Sequence, residues 1–505
     1  MLKIKMFKLN RNTAMFLLLL FSSTAYGQHR GDLLSFQGLD LSSGYGVKSL
    51  AMGGAFSAFD GELDALYWNP AGLSGIEKFN LSVNAFQYRK VWRERQDYRP
   101  NRQAVTMSFI LDGLYMPNPD YEGWYDYEAF LDDSTYIVDD PVLGKDPYSE
   151  DGADWQKEEE AFEMYNLCVA MPFEFMGKNL VLAAGYIGRI PVLDYDRNQT
   201  HLFPHPAYDG YGDMPLRVTS PQDSVHIRWS DYERKRIGPL QQIIGGLSVN
   251  LIDYLNLGLA INHISGEIDE SMSLNSIGHF DLVQGYNIYR FGYDTLNVMT
   301  TGKSKFSALR FDLGAQFQFS HFSLGIRVTP AYTIRREYDQ VIRTVSVDTT
   351  SSSSLSGEDE MTIPFGFNVG IAFNPISKMR IALDLENKPF SKADFSFSNS
   401  DTTHREWVDQ LIYRAGIECT PIEWISIRAG YQNVPQVFIP DGVGIDDRGP
   451  ESEIYSLGVG VKALMGCFNV TYQTQTLKYY DVYYSNTNWA YEKLTTWFLG
   501  YTITF

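Results

Sequence analysis

The chain has 505 residues, with 42 Lys and Arg against 61 Asp and Glu, for a formal charge of −19. So acidic a chain lacks the basic footprint that nucleic acid demands. Three scattered cysteines, Cys168, Cys419 and Cys467, supply neither a disulfide framework nor a zinc spacing. His201 and His205 stand four apart in a Pro-rich stretch, with no Cys or carboxylate cluster at metal spacing, so no metal and no cofactor is expected.

Residues 1–27 read as a cleaved secretory leader. Lys3, Lys5, Lys8 and Arg11 precede an apolar core, Ala14–Phe21, and Ala25-Tyr26-Gly27 offers a small-residue cut before Gln28. The apolar core is far shorter than the roughly 20 residues of a spanning helix. No Cys follows the cut, which argues against a lipoprotein. Removing four leader cations leaves the mature chain near −23.

Residues 28–77 do not alternate and are rich in small residues, notably Gly53 and Gly54 and the run Asn69-Pro70-Ala71-Gly72. Close-packed backbone needs Gly and Ala. Pro70 lacks a donor and holds Asn69 extended, marking a sharp break. Some fifty residues ahead of the first strand are enough to fold back inside a barrel.

Residues 78–505 read as the barrel, and from about residue 160 to the end apolar and polar side chains alternate. In Leu309–Phe319 the odd positions are Leu, Phe, Leu, Ala, Phe and Phe, while the even ones are Arg, Asp, Gly, Gln and Gln. Trp497, Leu499, Tyr501, Ile503 and Phe505 continue the pattern. A strand places neighbours on opposite faces, and these runs match the roughly ten residues of a tilted membrane strand. The fold expected is an all-β, antiparallel transmembrane barrel in a bacterial outer membrane, because unpaired backbone cannot face lipid. High aromatic content fits interfacial girdles.

Six short connections, Phe175–Asn179, Ile252–Asn256, Ser320–Phe322, Asn374–Lys378, Thr420–Trp424 and Leu464–Phe468, read as inner turns. Long ones, 112–160, 191–237, 271–304, 337–360, 389–406, 435–452 and Asp481–Lys493, read as outer loops. With both termini on the inner side, six turns imply seven loops and about fourteen strands. The acidic loops suit solvent, with divalent cations and lipopolysaccharide as further partners. Phe79–Val91 and Arg102–Leu111 both resemble the first strand, and parity admits one; the sequence leaves the choice open.

The polar face carries charges of both signs, including Arg310, Asp312, Arg327, Asp384, Glu386, Arg414, Glu418 and Arg428. Such a face suits either a crosslinked interior or a solvated channel wall. No nucleophile motif surrounds Ser265 or Ser320 beside His263 and His321, so no enzyme activity is expected. An open porin would not need the Gly-rich N-terminus.

The run GVKSLAMGGAFSAFDGELDALYWNPAGL, residues 46–73, resembles the N-terminal signature of FadL/TodX-type outer-membrane transporters of hydrophobic compounds. Arg414–Gln432 and Tyr455–Gln473 resemble strand pairs of that group, and Phe505 resembles the terminal aromatic of its barrels. PorV-like proteins, which handle secreted cargo, share the motif. The transporter resemblance implies a monomeric barrel plugged by residues 28–77, taking up hydrophobic molecules such as long-chain fatty acids by passive diffusion. It implies that Gly53, Gly54, Asn69, Pro70 and Ala71 form the plug motif. A lateral opening at the third strand, read as Leu180–Ile190, would use Gly185 and Gly188. Arg327, Arg414 and Arg428 would either meet a ligand carboxylate or, as the favoured reading, clamp the plug acids Asp60, Glu62 and Asp64.

Overall fold

The computed structural model describes residues 36, 38–39, 44–96, 144–188, 192–203, 226–283, 288–293, 296–398, 407–440, 448–483 and 486–505. The leader, the alternative first strand at 102–111, His205 and most of the loop at 112–160 lie outside the described residues.

Inside the barrel run α1 (Val47–Ala51), α2 (Ala65–Trp68) and a 3-10 turn, Pro70–Gly75. The wall begins with β1 (Asn80–Gln96), β2 (Trp155–Phe175), β3 (Lys178–Gly188), β4 (Val192–Phe203), β5 (His226–Gly238) and β6 (Leu240–Ile252). Next come β7 (Leu255–Val283), β8 (Ile288–Tyr293), β9 (Asn297–Gln318), β10 (Phe322–Thr329), β11 (Tyr332–Val345), β12 (Thr350–Ile363) and β13 (Gly366–Ile376). It ends with β14 (Met379–Lys388), β15 (Asp394–Ser396), β16 (Gln410–Ile422), β17 (Ile425–Pro435), β18 (Glu451–Ala463), β19 (Gly466–Tyr483) and β20 (Asn486–Thr504).

All pairings are antiparallel, and β1 closes the ring on β20 from Asn80↔Thr504 to Gln96↔Asn488. That settles the first strand as β1, at residues 80–96. Five wall positions are each built from two segments: β3/β4, β5/β6, β10/β11, β12/β13 and β14/β15. With β8 a side hairpin on the end of β7, twenty segments make a closed barrel of fourteen strands. The sequence has a proline in each of the five gaps, at 191, 239, 330, 364 and 389, since proline offers the ladder no donor.

The six short turns fall where the sequence puts them. Neighbouring turns are tied by backbone bonds, as from Asn374 N–H to the His321 carbonyl (3.0 Å) and from Thr420 N–H to that of Lys378 (2.8 Å), while Lys178 Nζ donates from the first turn to the Leu251 carbonyl (2.8 Å). The chain end joins in, with Phe505 N–H on the Phe79 carbonyl at 3.0 Å. Lipid-facing side chains follow the alternation: Leu309, Phe311 and Leu313 are 51, 40 and 48% exposed, whereas Asp312 and Gln316 between them are buried. Outward aromatics gather at both ends of this band, Trp424, Phe373 and Phe505 near the short turns and Tyr186, Tyr413 and Tyr455 at the other rim. An apolar belt with two aromatic girdles on a closed barrel is a membrane-spanning surface. No helix among the described residues is long and apolar enough to cross a membrane.

The outer loops need correction. Much of 191–237, 271–304, 337–360 and 481–493 is strand that carries the wall beyond the lipid belt, and β2 already starts at Trp155. In these extensions the pattern inverts. Phe306, Ala308, Ile334 and Ile342 point inward and are buried, while Lys303, Lys305, Arg335 and Glu337 face out. Water, not lipid, now lies outside. A buried ionic chain crosses this upper sheet: Arg236 to Glu270 (3.0 Å), Glu270 to Arg336 (2.9 Å) and Arg336 to Asp359 (2.7 Å).

Candidate functional site: the inner segment and its cavity

Residues 44–76 are almost entirely buried inside the ring of strands. The wall makes room by omitting side chains. A Cβ on Gly258 of β7 would strike the Pro70–Ala71 backbone. One on Gly325 of β10 would strike Ser57, and one on Gly430 of β17 would strike Gly53. Gly314, Gly416 and Gly458 face the same segment in the same way. The segment answers with its own glycines: Gly53 (φ +64°) lies against the Tyr431 and Ala415 backbones, and Gly54 (φ +75°) against Trp68 and Arg414. Both positive angles suit glycine.

Asn69 is fully buried and extended (φ −161°) before Pro70. Its Oδ1 accepts from Ala71 N–H (3.2 Å), and its Nδ2 donates to the Ser57 carbonyl (2.7 Å) and to that of Ala315 in β9 (3.2 Å). The Asn-Pro-Ala turn thus joins two stretches of the segment to the wall. Asp384 of β14 accepts from Phe56 and Ser57 N–H at 3.2 and 3.0 Å.

The arginines reach the segment, but not through its acids. Arg327 donates to the Tyr67 carbonyl (3.0 Å) and to Glu386 (2.7 Å). Arg414 donates to the other Glu386 oxygen at 2.5 Å, with its guanidinium 5.2 Å from the Trp68 ring centre. Arg428 holds Glu418 (2.6 Å) and Asn469 (2.9 Å). Glu62 pairs with Lys48 (2.6 Å), which lies 3.5 Å from Glu418. Asp64 accepts from Ser49 N–H at 3.0 Å. Among the described residues the arginines meet wall carboxylates, Glu386 and Glu418, in place of the expected clamp on Asp60, Glu62 and Asp64.

A cavity of about 90 Å³ lies between segment and wall. Arg310, Arg327, Glu386 and Arg414 bound it below, and Tyr67 and Trp68 flank it. Leu240, Ile264, Phe306, Ile334, Ile363 and Phe390 give it an apolar roof. The chamber is amphipathic, charged toward the barrel middle and greasy toward the outer end. Sequence reasoning missed the roof, because Phe390 falls in a stretch read as a loop and Leu240, Phe306, Ile334 and Ile363 lie within three residues of one.

At the third wall position β3 pairs with β2 only as far as Ile187↔Asn166. Beyond it, among the described residues, β4 pairs with β5 and the outer part of β2 with β1. Tyr195 of β4 covers this parting, its ring 5.8 Å from Trp92 and 5.4 Å from Trp155. Gly185 lies below it, where a Cβ would strike Cys168 Sγ, so it serves close strand packing; Gly188 is the last residue of β3. Ser320 Oγ and His321 Nδ1 lie 2.9 Å apart in an exposed short turn, remote from the cavity.

No family model matches the chain, and no curated protein matches it. Solved structures do. A FadL homologue of Pseudomonas aeruginosa aligns over 92% of this chain and 98% of its own, at 12% identity and a TM-score of 0.55. The Pseudomonas putida toluene transporter TodX aligns over 92% and 99%, at 12% identity and 0.53. The Ralstonia pickettii toluene transporter TbuX gives 92% and 99%, at 12% and 0.52. Identity this low speaks to the fold, and the fold agrees with the belt, the closure and the strand count. The chain is an outer-membrane β-barrel with the fold of the FadL/TodX-type transporters.

Proposed function

We propose that this barrel carries hydrophobic small molecules, long-chain fatty acids among them, inward across the outer membrane by passive diffusion, with residues 28–77 as a movable plug. The observation that carries the reading is a lumen filled by one continuous segment, with an amphipathic cavity against its flank. Similar folds include two described as toluene transporters. An apolar roof supplies roughly 25 cal/mol per Å² of covered cargo surface. A carboxylate on the cargo would compete with Glu386 for Arg327 and Arg414, which also touch Tyr67 and Trp68. Cargo can move the plug only as far as it favours the displaced state.

In this reading Asn69, Pro70 and Ala71 form the joint about which the plug moves, and Gly53 and Gly54 its seat. The parting above Ile187 is the side exit, with Gly185 and Gly188 at its foot. Valine at Gly185 would collide with Cys168, so opening is better tested by changes at Tyr195.

Gating is tested by tethering. Ala51 Cβ lies 2.5 Å from the ideal Cβ position of Gly458, so a cysteine pair there needs about 1 Å more separation to reach disulfide span. In proteoliposomes, oxidising Ala51→Cys/Gly458→Cys should stop uptake of a labelled fatty acid, and reductant should restore it. Uptake indifferent to oxidation removes the gate. No uptake in either state, with secreted proteins co-purifying, would favour a role in protein secretion.

A further inference from the structure

We infer that the inner rim of the barrel is a one-sided membrane foot. The two short turns flanking the closing seam are sunk in the phospholipid of the inner leaflet, while the other short turns stand in water, so the barrel leans toward its seam. This holds whatever the barrel carries.

Two-residue hairpins favour turns with positive φ at the first central position, where Gly or Asn is the usual occupant. Among the described residues, the non-glycine residues with positive φ are Met176 (+50°) and Leu464 (+55°). Each opens a two-residue turn: Met176-Gly177 between the paired Phe175 and Lys178, and Leu464-Met465 between the paired Ala463 and Gly466. Both carry long apolar side chains on a backbone conformation that a Cβ disfavours. Both also stand clear of the protein, at 86 and 99% exposed. Asparagine at either tip would relieve the backbone and suit water. Strain kept at an exposed apolar tip points to a contact outside the chain.

The chain end lies between these two turns. Thr504 N–H donates to the Met465 carbonyl (2.8 Å) and Phe505 N–H to that of Phe79 (3.0 Å), with the two phenyl rings 5.9 Å apart. On the other flank β2 runs past Ala170, the partner of Asn80, down to Phe175. Continuity with the lipid belt names the occupant. The outward positions of β2 read Leu167, Val169, Met171, Phe173 and Phe175 as far as Met176. Those of β18 read Leu457, Val459, Val461 and Ala463 as far as Leu464. On these strands the belt reaches both tips without a polar side chain facing out, as a surface immersed in lipid does.

Around the rest of the rim the exposed tips are polar, with Asp253, Ser320, Ser377 and Glu423. Lys178, the charge beside Met176, turns its ammonium sideways onto the Leu251 carbonyl (2.8 Å). Such a posture keeps the charge at the head-group level and leaves Met176 to the acyl chains.

The full-length barrel would carry p-benzoylphenylalanine at one tip at a time, at 176, 464, 253 or 377, in vesicles of phosphatidylethanolamine and phosphatidylglycerol. After irradiation, mass spectrometry of the tip peptide reads the lipid adduct. Adducts at 176 and 464 should exceed those at 253 and 377 by at least about tenfold. Equal yields at the four tips of heat-modifiable barrels overturn the one-sided foot. A protein adduct at 176 or 464 in isolated outer membranes overturns lipid as the occupant. The unaltered chain gives a second reading, by electron cryo-microscopy in lipid nanodiscs. The bilayer edge should cover Met176 and Leu464 and leave Asp253 and Ser377 outside; an edge level around the rim overturns the lean. Met176→Asn combined with Leu464→Asn should keep the barrel folded and remove the lean, and a lean that persists in that variant overturns the role of these tips.

Discussion

Asp64 lies where the inner segment folds on itself, and its carboxylate occupies the place a Cβ would take on Gly46 (φ +89°). Ser49 N–H is its direct donor, at 3.0 Å. Burial pushes the carboxyl up to about 6, helped by the Glu62 charge and opposed by the Ser49 bond and Lys48. A raised carboxylic pKa means the packed segment binds this proton more tightly than a released one. The associated stability is complete below the ordinary value of 3.8, and is lost as pH rises through about 6. The window is therefore pH 4 to 6, and the swing is at most roughly 3 kcal/mol. Amide protection factors across residues 47–68 should fall over that window. Asp64→Asn, which keeps the neutral form's shape, should flatten the profile; an unchanged slope in the variant would assign the effect to other groups.

Among the elements, the glycines of the wall carry the fit. Gly245 and Gly246 are neighbours on β6: nothing lies within 4 Å of a Cβ at the first, whereas one at the second would stand 2.5 Å from Leu66 Cδ1. The harder case is Gly258, whose Cβ would meet the backbone of Pro70 and Ala71, which has no rotamer to give. Gly258→Ala should loosen the segment by about 1–3 kcal/mol, seen as lost protection in 44–76 with heat-modifiability kept, while Gly245→Ala should change neither. Much of this layout was legible in the sequence. The short turns, the outward odd positions of Leu309–Phe319 and the count of fourteen follow from periodicity and spacing alone. The strand extensions were not legible, because the phase of alternation inverts near Ala308–Leu309 where lipid gives way to water, and a motif tuned to lipid stops there. Partners of the arginines were hidden for another reason. Glu386 meets Arg327 and Arg414 only through the register of β10, β13, β14 and β16, which no single strand reveals.

For the molecule as a whole, wall and inner segment are separable. Among the described residues, the closing ladder starts at Asn80↔Thr504, and no residue of 44–76 enters it. The wall's hydrogen bonds to the segment can be returned to water: Ser248 to the Ala71 carbonyl (3.1 Å), Thr471 to that of Val47 (2.7 Å), and Gln316 and Ser323 to that of Ala58 (2.9 and 2.7 Å). Apolar wall residues, Val181, Ile187, Ile244 and Ala260 on one side and Phe86 and Phe498 on another, also pack against it. The hydroxyls, amides and paired charges of that face wet readily once uncovered, and fourteen strands enclose a wider bore than the eight that side chains alone can fill. A chain lacking residues 28–77, with residues 1–27 retained, should thus insert as a folded barrel. In planar bilayers it should show large, steady ionic conductance where the full chain is silent. Salt should affect it little beyond bulk conductivity, because the lumen charges stay paired with one another across β14 and β16. If the shortened barrel inserts yet remains silent, the wall closes itself, and the inner segment is a lining rather than a stopper.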